Sequence, residues 1–306
     1  MILRGWISDS RRLRVNAHGV LRAHKWWLLR RISQIAVMAL FMLGPWAGIW
    51  LARGNFASSE IGGVVPLSDP YILLQGIAGG AAVTGSVAIG ALIVTAIYLV
   101  VGGRVYCGWV CPVNVITDTA HWLREKTGLT RDRKLDRRTR MIMLGATFLA
   151  SAATGTIAWE FVNPVSLTQR GLISGIGLGW GIVLAVFLLD LFVSRRAWCG
   201  HICPVGAFYG LIGRASLVRV SAARRDACTD CGACYQVCPE PHVIPPGLKG
   251  KGTPLILSGD CYNCGGCIDV CPVDVFNFST RLTPGTAPPP SERPSRKAAT
   301  AASAPQ

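Results

Sequence analysis

Two stretches of the chain are written to one pattern, "CTDCGACYQVCP" at 228–239 and "CYNCGGCIDVCP" at 261–272. Each reads C-x2-C-x2-C-x3-C-P. Three thiolates so close together on a tight Gly-containing turn can bind three corners of one iron–sulfur cube, while the fourth, beside a Pro, starts the next segment and ligates another. Two tetrahedral zinc sites would also use eight thiolates, but zinc ribbons are built from paired C-x2-C units without the third Cys and the Cys-Pro. Four more cysteines stand in a second phrase, also written twice, "RVYCGWVCPVN" at 104–114 and "RAWCGHICPVG" at 196–206, 92 residues apart. Cys107 and Cys111, like Cys199 and Cys203, are four apart and would share a helical face. Two such pairs brought together supply four thiolates, enough for a third metal centre. A redox dithiol or protein-contact role, or plain packing of a small buried residue, are the alternatives at these four positions.

The eight-cysteine pattern is the run of bacterial two-cluster ferredoxins, whose crossing rule assigns Cys228, Cys231, Cys234 and Cys271 to one [4Fe-4S] cluster and Cys261, Cys264, Cys267 and Cys238 to the other. The elements that must carry these sites are apolar. The 306 residues are 51% hydrophobic and 15% charged, too apolar for an ordinary soluble protein. Four stretches, at about 32–52, 82–101, 141–162 and 172–193, are long enough to cross a hydrocarbon core, which needs roughly 20 helical residues.

The net charge of +15 raises nucleic acid as a partner, and its distribution argues against it. Residues 1–31 carry eight Lys or Arg, residues 102–140 nine and the chain after Val193 twelve, against one each, Arg53 and Arg170, in the two remaining connections. By the positive-inside rule this predicts a multi-pass membrane protein with cytoplasmic N- and C-termini and a cytoplasmic middle loop, the two connections poor in Lys and Arg being periplasmic or extracellular. The twin arginines before "ISQIAVMAL" precede an apolar run too long for a cleavable signal core. On the cytoplasmic side thiols stay reduced, which disfavours a disulfide framework.

Each Cys-Gly-x-x-Cys-Pro loop, at 107–112 and 199–204, follows the second span of a pair, so residues 32–193 read as two consecutive helical hairpins, a parallel internal repeat that can bring the loops together. Gly171, Gly175 and Gly179 recur at the spacing that lets helices pack closely, and Pro45 is expected to kink or interrupt the first span. The predicted fold is thus a membrane all-α domain of four transmembrane helices, followed by an α+β ferredoxin domain at 218–282 with an inserted loop, "PEPHVIPPGLKGKG". A basic cytoplasmic segment, 1–31, precedes it, and a Pro, Ala and Ser tail, 283–306, of disordered composition closes the chain.

Four spans, two Cys-x3-Cys-Pro loops and a terminal two-cluster segment together resemble the NapH family, the ferredoxin-type membrane subunits encoded with periplasmic nitrate reductases, with the methylamine-utilisation subunit MauN a close relative. "GNFASS" and "VPLSDPYILLQ" in the first external loop are also similar to that family. The resemblance implies the bacterial inner membrane, and an electron-transfer component of a quinol dehydrogenase rather than a self-sufficient enzyme. It would take electrons from the quinone pool and pass them through a ferredoxin-type periplasmic subunit or a multihaem cytochrome c to a periplasmic reductase, nitrate reductase first. The alternative is a membrane ferredoxin that serves assembly or maturation of a metalloenzyme, an oxidase or a methylamine dehydrogenase system. Ionisable residues in spans are functional candidates. Glu160, in "WEFVNP", is the candidate proton acceptor for quinol, and Asp190 is expected to pair with a loop cation such as Arg195.

Overall fold

The computed structural model describes residues 20–129, 135–175, 177, 179–250 and 252–283. The remainder of the basic N-terminus and the tail from 284 onward lie outside the described residues. The chain divides into two compact units: residues 30–217 with 258–263, and residues 1–29 with 218–257 and 264–306.

The first of these is mainly helical. Helix α1, Lys25–Ala47, keeps Pro45 inside its last turn without a break. A three-stranded antiparallel sheet follows in the order β1 (Ala52–Gly54), β2 (Ser58–Ile61), β3 (Val65–Ser68). Helix α2, Pro70–Ala78, starts where it does because Asp69 caps it, its carboxylate accepting from Tyr71 N, and because Pro70 at the first position needs no partner for a missing N–H. Helix α3, Gly85–Val101, ends at Gly102, whose φ of 119° no side chain tolerates well. After the first cysteine loop comes α4, Val113–Thr127, and then α5, Arg138–Thr154.

The second half of the unit repeats the device of the first. Asn163 caps α6, Pro164–Ser174, by accepting from Val165 N, again with Pro at the first position. Helix α7, Gly179–Phe192, leads into the second cysteine loop and α8, Pro204–Gly213. The repeat is therefore wider than the cysteine phrase: Asp69-Pro70-x-x-Leu73-x-Gln75 corresponds to Asn163-Pro164-x-x-Leu167-x-Gln169. Both glutamines are buried and tie one half to the other. Gln75 Oε1 accepts from Trp159 N at 3.2 Å and from the Ser151 hydroxyl, and Gln169 Oε1 accepts from Phe56 N at 3.4 Å.

These helix bounds differ from the apolar stretches expected as spans. The stretch 141–162 is α-helical only to Thr154, because Gly155 takes a left-handed C-cap; a 3-10 turn, Ala158–Phe161, follows, and Asn163-Pro164 starts a new helix. The stretch 172–193 is interrupted at Gly175, φ 91°, so that α6 and α7 pack on each other; Gly171 lies against Trp180, and Gly179 against Leu167, with no room for a methyl at Gly171. Among the described residues one helix, α1, is long and apolar enough to cross a membrane, while α3, α7 and α8 are shorter apolar helices. Strand β3 packs on α3, α2 and α8 on α5, and α4 on α7.

In the other unit, β4 (Val218–Ser221) pairs antiparallel with β5 (Asn277–Thr280), over a core that includes Val220, Ile244, Ile256, Val275 and Phe276. Short helices α9 (Ala233–Val237) and α11 (Gly266–Val270) pack together, with α10 (Ile244–Leu248) in the expected insertion. Asp269 accepts from Trp26 N at 3.2 Å and Trp27 N at 2.9 Å, capping the first turn of α1, and the Trp26 ring meets Phe278 edge-on at 4.7 Å. The stretch 218–282, expected as one domain, lends Ser258–Asn263 to the helical unit.

Candidate iron–sulfur centres

In the ferredoxin-type unit, Cys228, Cys231, Cys234 and Cys271 line one cavity together with Leu248 and Phe276. Local sequence builds it. Asp230 (φ 54°) and Gly232 (φ 74°) bend the chain between the first three cysteines, and Gly232 then starts α9, which carries Cys234. The sulfurs already accept backbone donors, Asp230 N to Cys228 Sγ and Val275 N to Cys271 Sγ, both at 3.4 Å. Burial, and then the neighbouring Cys271, Cys231 and Cys228, push the Cys234 thiol up to about 12. Four thiolates crowded this way are unfavourable alone and favourable around a cation, so the donor set fits a thiolate-bound iron–sulfur cube.

The second run repeats the turn, with Asn263 (φ 45°) and Gly265 (φ 71°), and α11 carries Cys267. Gly265 lies against Trp26, whose Cγ would stand 2.4 Å from a Cβ there, and Gly266 lies against Val237 and Cys264 Sγ. Cys238 ends α9. Cys261 belongs to the segment Ser258–Asn263 and donates to Asn263 Oδ1 at 3.4 Å.

The two repeated loops are π-turns, Tyr106–Val110 and Trp198–Ile202, each closed by the N–H of its second cysteine onto the carbonyl five residues back: Cys111 to Tyr106 and Cys203 to Trp198, both 2.9 Å. Cys107 and Cys111 are buried, Cys199 and Cys203 half-buried. All four meet in one buried neighbourhood. The Cys199 thiol is raised well above the usual range by burial and then by Asp190, Cys203, Cys111 and Cys107; burial and Cys107 push Cys203 up to about 12, and Cys111 is raised by burial, Cys107 and Cys203. Among the described residues, no three His, Cys, Asp or Glu side chains have the spacing of a single-ion site, in this quartet or in the ferredoxin one.

Other expected residues land differently. Glu160 is held by Arg170, 3.3 Å, and by Asn163 Nδ2, 3.2 Å. Asp190 accepts from Trp198 N at 2.9 Å and so braces the second loop, while Arg195 reaches His121 and Glu125; the expected pairing with Arg195 is replaced by this backbone contact. Two features escaped the sequence reading. Asp69 accepts from the Tyr209 hydroxyl at 3.0 Å, and Tyr209 stacks on Tyr106 (5.2 Å) and meets Tyr98 edge-on (4.9 Å), beside the loop cysteines. Burial raises the Asp69 carboxyl to about 6, although Tyr71 N and Tyr209 favour its charged form. The stacked rings of Trp159 and Trp198, 6.2 Å apart, likewise bring the second connection to the second loop. The repeated Asp/Asn-Pro-x-x-Leu-x-Gln phrase was the available signal.

The cysteine geometry has counterparts in known families. Residues 83–130 and 176–222, which contain the two loops, match the model of a 4Fe-4S binding domain, and residues 223–275 match that of a 4Fe-4S dicluster domain. Together with the fold they define a ferredoxin-type 4Fe-4S electron-transfer protein. The chain is 70% identical to the methylamine utilization ferredoxin-type protein MauN of Paracoccus denitrificans, over 91% of this chain and 99% of that protein, and 65% identical to MauN of Methylorubrum extorquens, over 90% and 96%. It is 43% identical to the ferredoxin-type protein NapH of Escherichia coli, over 90% and 97%. The chain belongs to the family of NapH and MauN ferredoxin-type proteins. No solved structure matches it.

Proposed function

We propose that this chain is a multi-pass inner-membrane iron–sulfur subunit of a quinol dehydrogenase, and that it holds three centres. The observation that carries the reading is the meeting of four thiols from two loops, 92 residues apart, in one buried neighbourhood of an apolar helical unit. Cys228, Cys231, Cys234 and Cys271 would hold one cube, Cys261, Cys264, Cys267 and Cys238 a second, and Cys107, Cys111, Cys199 and Cys203 a third iron–sulfur centre. Such centres supply one-electron steps when bound; the protein supplies position, charge and proton acceptors.

Oxidation of a quinol releases two electrons and two protons. Asp69 is the carboxylate that suits the first proton better than Glu160, because Glu160 is already paired with Arg170. Tyr209 orients Asp69, and the rings of Tyr209, Tyr106 and Tyr98 line the way to the loop cysteines. The sidedness of Lys and Arg supports four crossings, carried by α1, α3, α5 and α7, the last three shorter than 20 residues as helices. The cytoplasmic termini and partners in the periplasm remain part of this reading.

The 70% and 65% identities to MauN, against 43% to NapH, favour a pathway of methylamine utilisation over nitrate reduction. They also favour a second reading, in which the electrons serve maturation of an enzyme of that pathway. Iron and acid-labile sulfide analysis tests the shared core of both. The full chain should carry about twelve irons, and a variant with Cys107, Cys111, Cys199 and Cys203 all changed to Ser about eight; equal counts would sink the third centre. Bleaching of the iron–sulfur absorbance by a quinol analogue tests the donor.

A further inference from the structure

The segment Ser258–Asn263 is built into the helical unit with unusual density. Gly259 has no room for a side chain, a Cβ there standing 2.0 Å from Gly210 O, and Gly213 in turn lies against Gly259 O. Trp109 Nε1, from the first cysteine loop, donates to Asn263 O at 3.1 Å, and Asn263 Nδ2 donates to Val101 O at 2.9 Å. Arg140 Nη2 meets Asp260 Oδ2 at 2.6 Å.

Arg104 is the centre of this docking. It opens the first cysteine loop and is fully buried. Its Nη2 donates to Cys199 O in the second loop at 2.7 Å and to the Tyr262 hydroxyl at 2.8 Å. Its guanidinium lies over the Tyr262 ring at 4.3 Å, and Nη1 stands 3.7 Å from Asp260 Oδ1. The corresponding arginine of the second loop, Arg196, is spent differently, on Asp118, which also takes Arg30 and Arg31. One of the two repeat arginines therefore closes an ion network inside its own unit, and the other joins the backbone of a loop cysteine to the residue next to Cys261.

We propose that Arg104 is a positioning residue that couples the loop-cysteine centre to Cys261, and that electrons leave the loop quartet through the segment Asp260–Tyr262. This rests on the three-centre reading. The step is a one-electron exchange: the loop centre is oxidised, the Cys261 centre is reduced, and no bond or proton moves. A buried cation beside such a centre favours its reduced, more negative state. Asp260 opposes it.

The test is a redox titration of the full chain followed by electron paramagnetic resonance, each centre assigned from the Cys→Ser variant that removes it. Arg104→Met should lower the potentials of the loop and Cys261 centres, by about 59 mV for each tenfold change in a one-electron partition. Asp260→Asn should raise them, and the Cys228 centre should stay where it is in both. Shifts of the same sign in the two variants, or an equal shift at the Cys228 centre, overturn the coupling. Should Arg104→Met lose iron, Arg104→Lys and Asp260→Asn carry the comparison, and an unmoved Cys261 centre in Asp260→Asn overturns it. About eight irons in the wild type would instead refute the three-centre reading itself.

Discussion

If Asp69 accepts a quinol proton, removing its charge should abolish both rate and pH dependence. At a value of about 6 the carboxyl is about nine-tenths ionised at pH 7 and about one-tenth at pH 5, so the rate of quinol oxidation should fall roughly tenfold across that interval. The groups facing Asp69 are Tyr209, the Tyr71 N–H, Glu160 as a like charge, and the Tyr98 and Tyr106 hydroxyls. Asp69→Asn keeps the shape and the Tyr209 contact but cannot take a proton; a positioned general base contributes about 10²- to 10⁴-fold, so at least a hundredfold loss at pH 7 is expected, with a flat profile. Glu160→Gln should keep the rate and move the inflection slightly to lower pH, because it removes a like charge. Stability runs the other way. The folded chain holds the Asp69 proton more tightly than the unfolded one, so this group's contribution to stability is present below about pH 4 and is lost as pH rises through about 6. The assay is stopped-flow bleaching of the iron–sulfur absorbance by a quinol analogue, on the full chain in detergent. An Asp69→Asn rate within threefold of wild type, or an unchanged pH profile, would refute the assignment.

Three further outcomes follow from the packing. Gly232 and Gly265 occupy matching turns, but only Gly265 has Trp26 against it; Gly232→Ala should cost about 1–2 kcal/mol for the left-handed backbone and Gly265→Ala clearly more, so equal denaturation midpoints would count against the Trp26 contact. Gly103 has Tyr209 O only 1.8 Å from a would-be Cβ, whereas Gly145 faces open space; Gly103→Ala should prevent assembly of the helical unit, while Gly145→Ala, inside α5, should gain about 0.5–1 kcal/mol, both read from yield and thermal unfolding. Burial alone would raise the Asp118 carboxyl, but Arg196, Arg30 and Arg31 hold it below the usual range, so its stabilisation is present above about pH 4 and fades as pH falls below that; Asp118→Asn should cost about 3–5 kcal/mol by leaving buried arginines unpaired, and should abolish that acid sensitivity.

What the sequence determined by itself is the chemistry carried by short-range spacing. The Cys-x2-Cys-x2-Cys turns are local objects, since Gly232 and Gly265 supply the left-handed residues and the cysteines follow within a few positions. The duplicated loop, its Arg, Gly and Pro included, and the capped starts at Asp69-Pro70 and Asn163-Pro164 are equally local. The tertiary structure alone decided what lies opposite what. Span lengths could not be read from hydropathy, because an Asn-Pro start and a Gly at φ 91° interrupt helices without changing the apolar composition of the stretch. Asp69 and Tyr209 are 140 residues apart, and Arg104 and Tyr262 are 158 apart. No periodicity of 2 or 3.6 links such pairs; they meet only because two repeated halves pack their connections back toward the cysteine loops, because Gly103 lets α8 approach the first loop, and because glycines at 210, 213 and 259 leave room for the segment that carries Cys261.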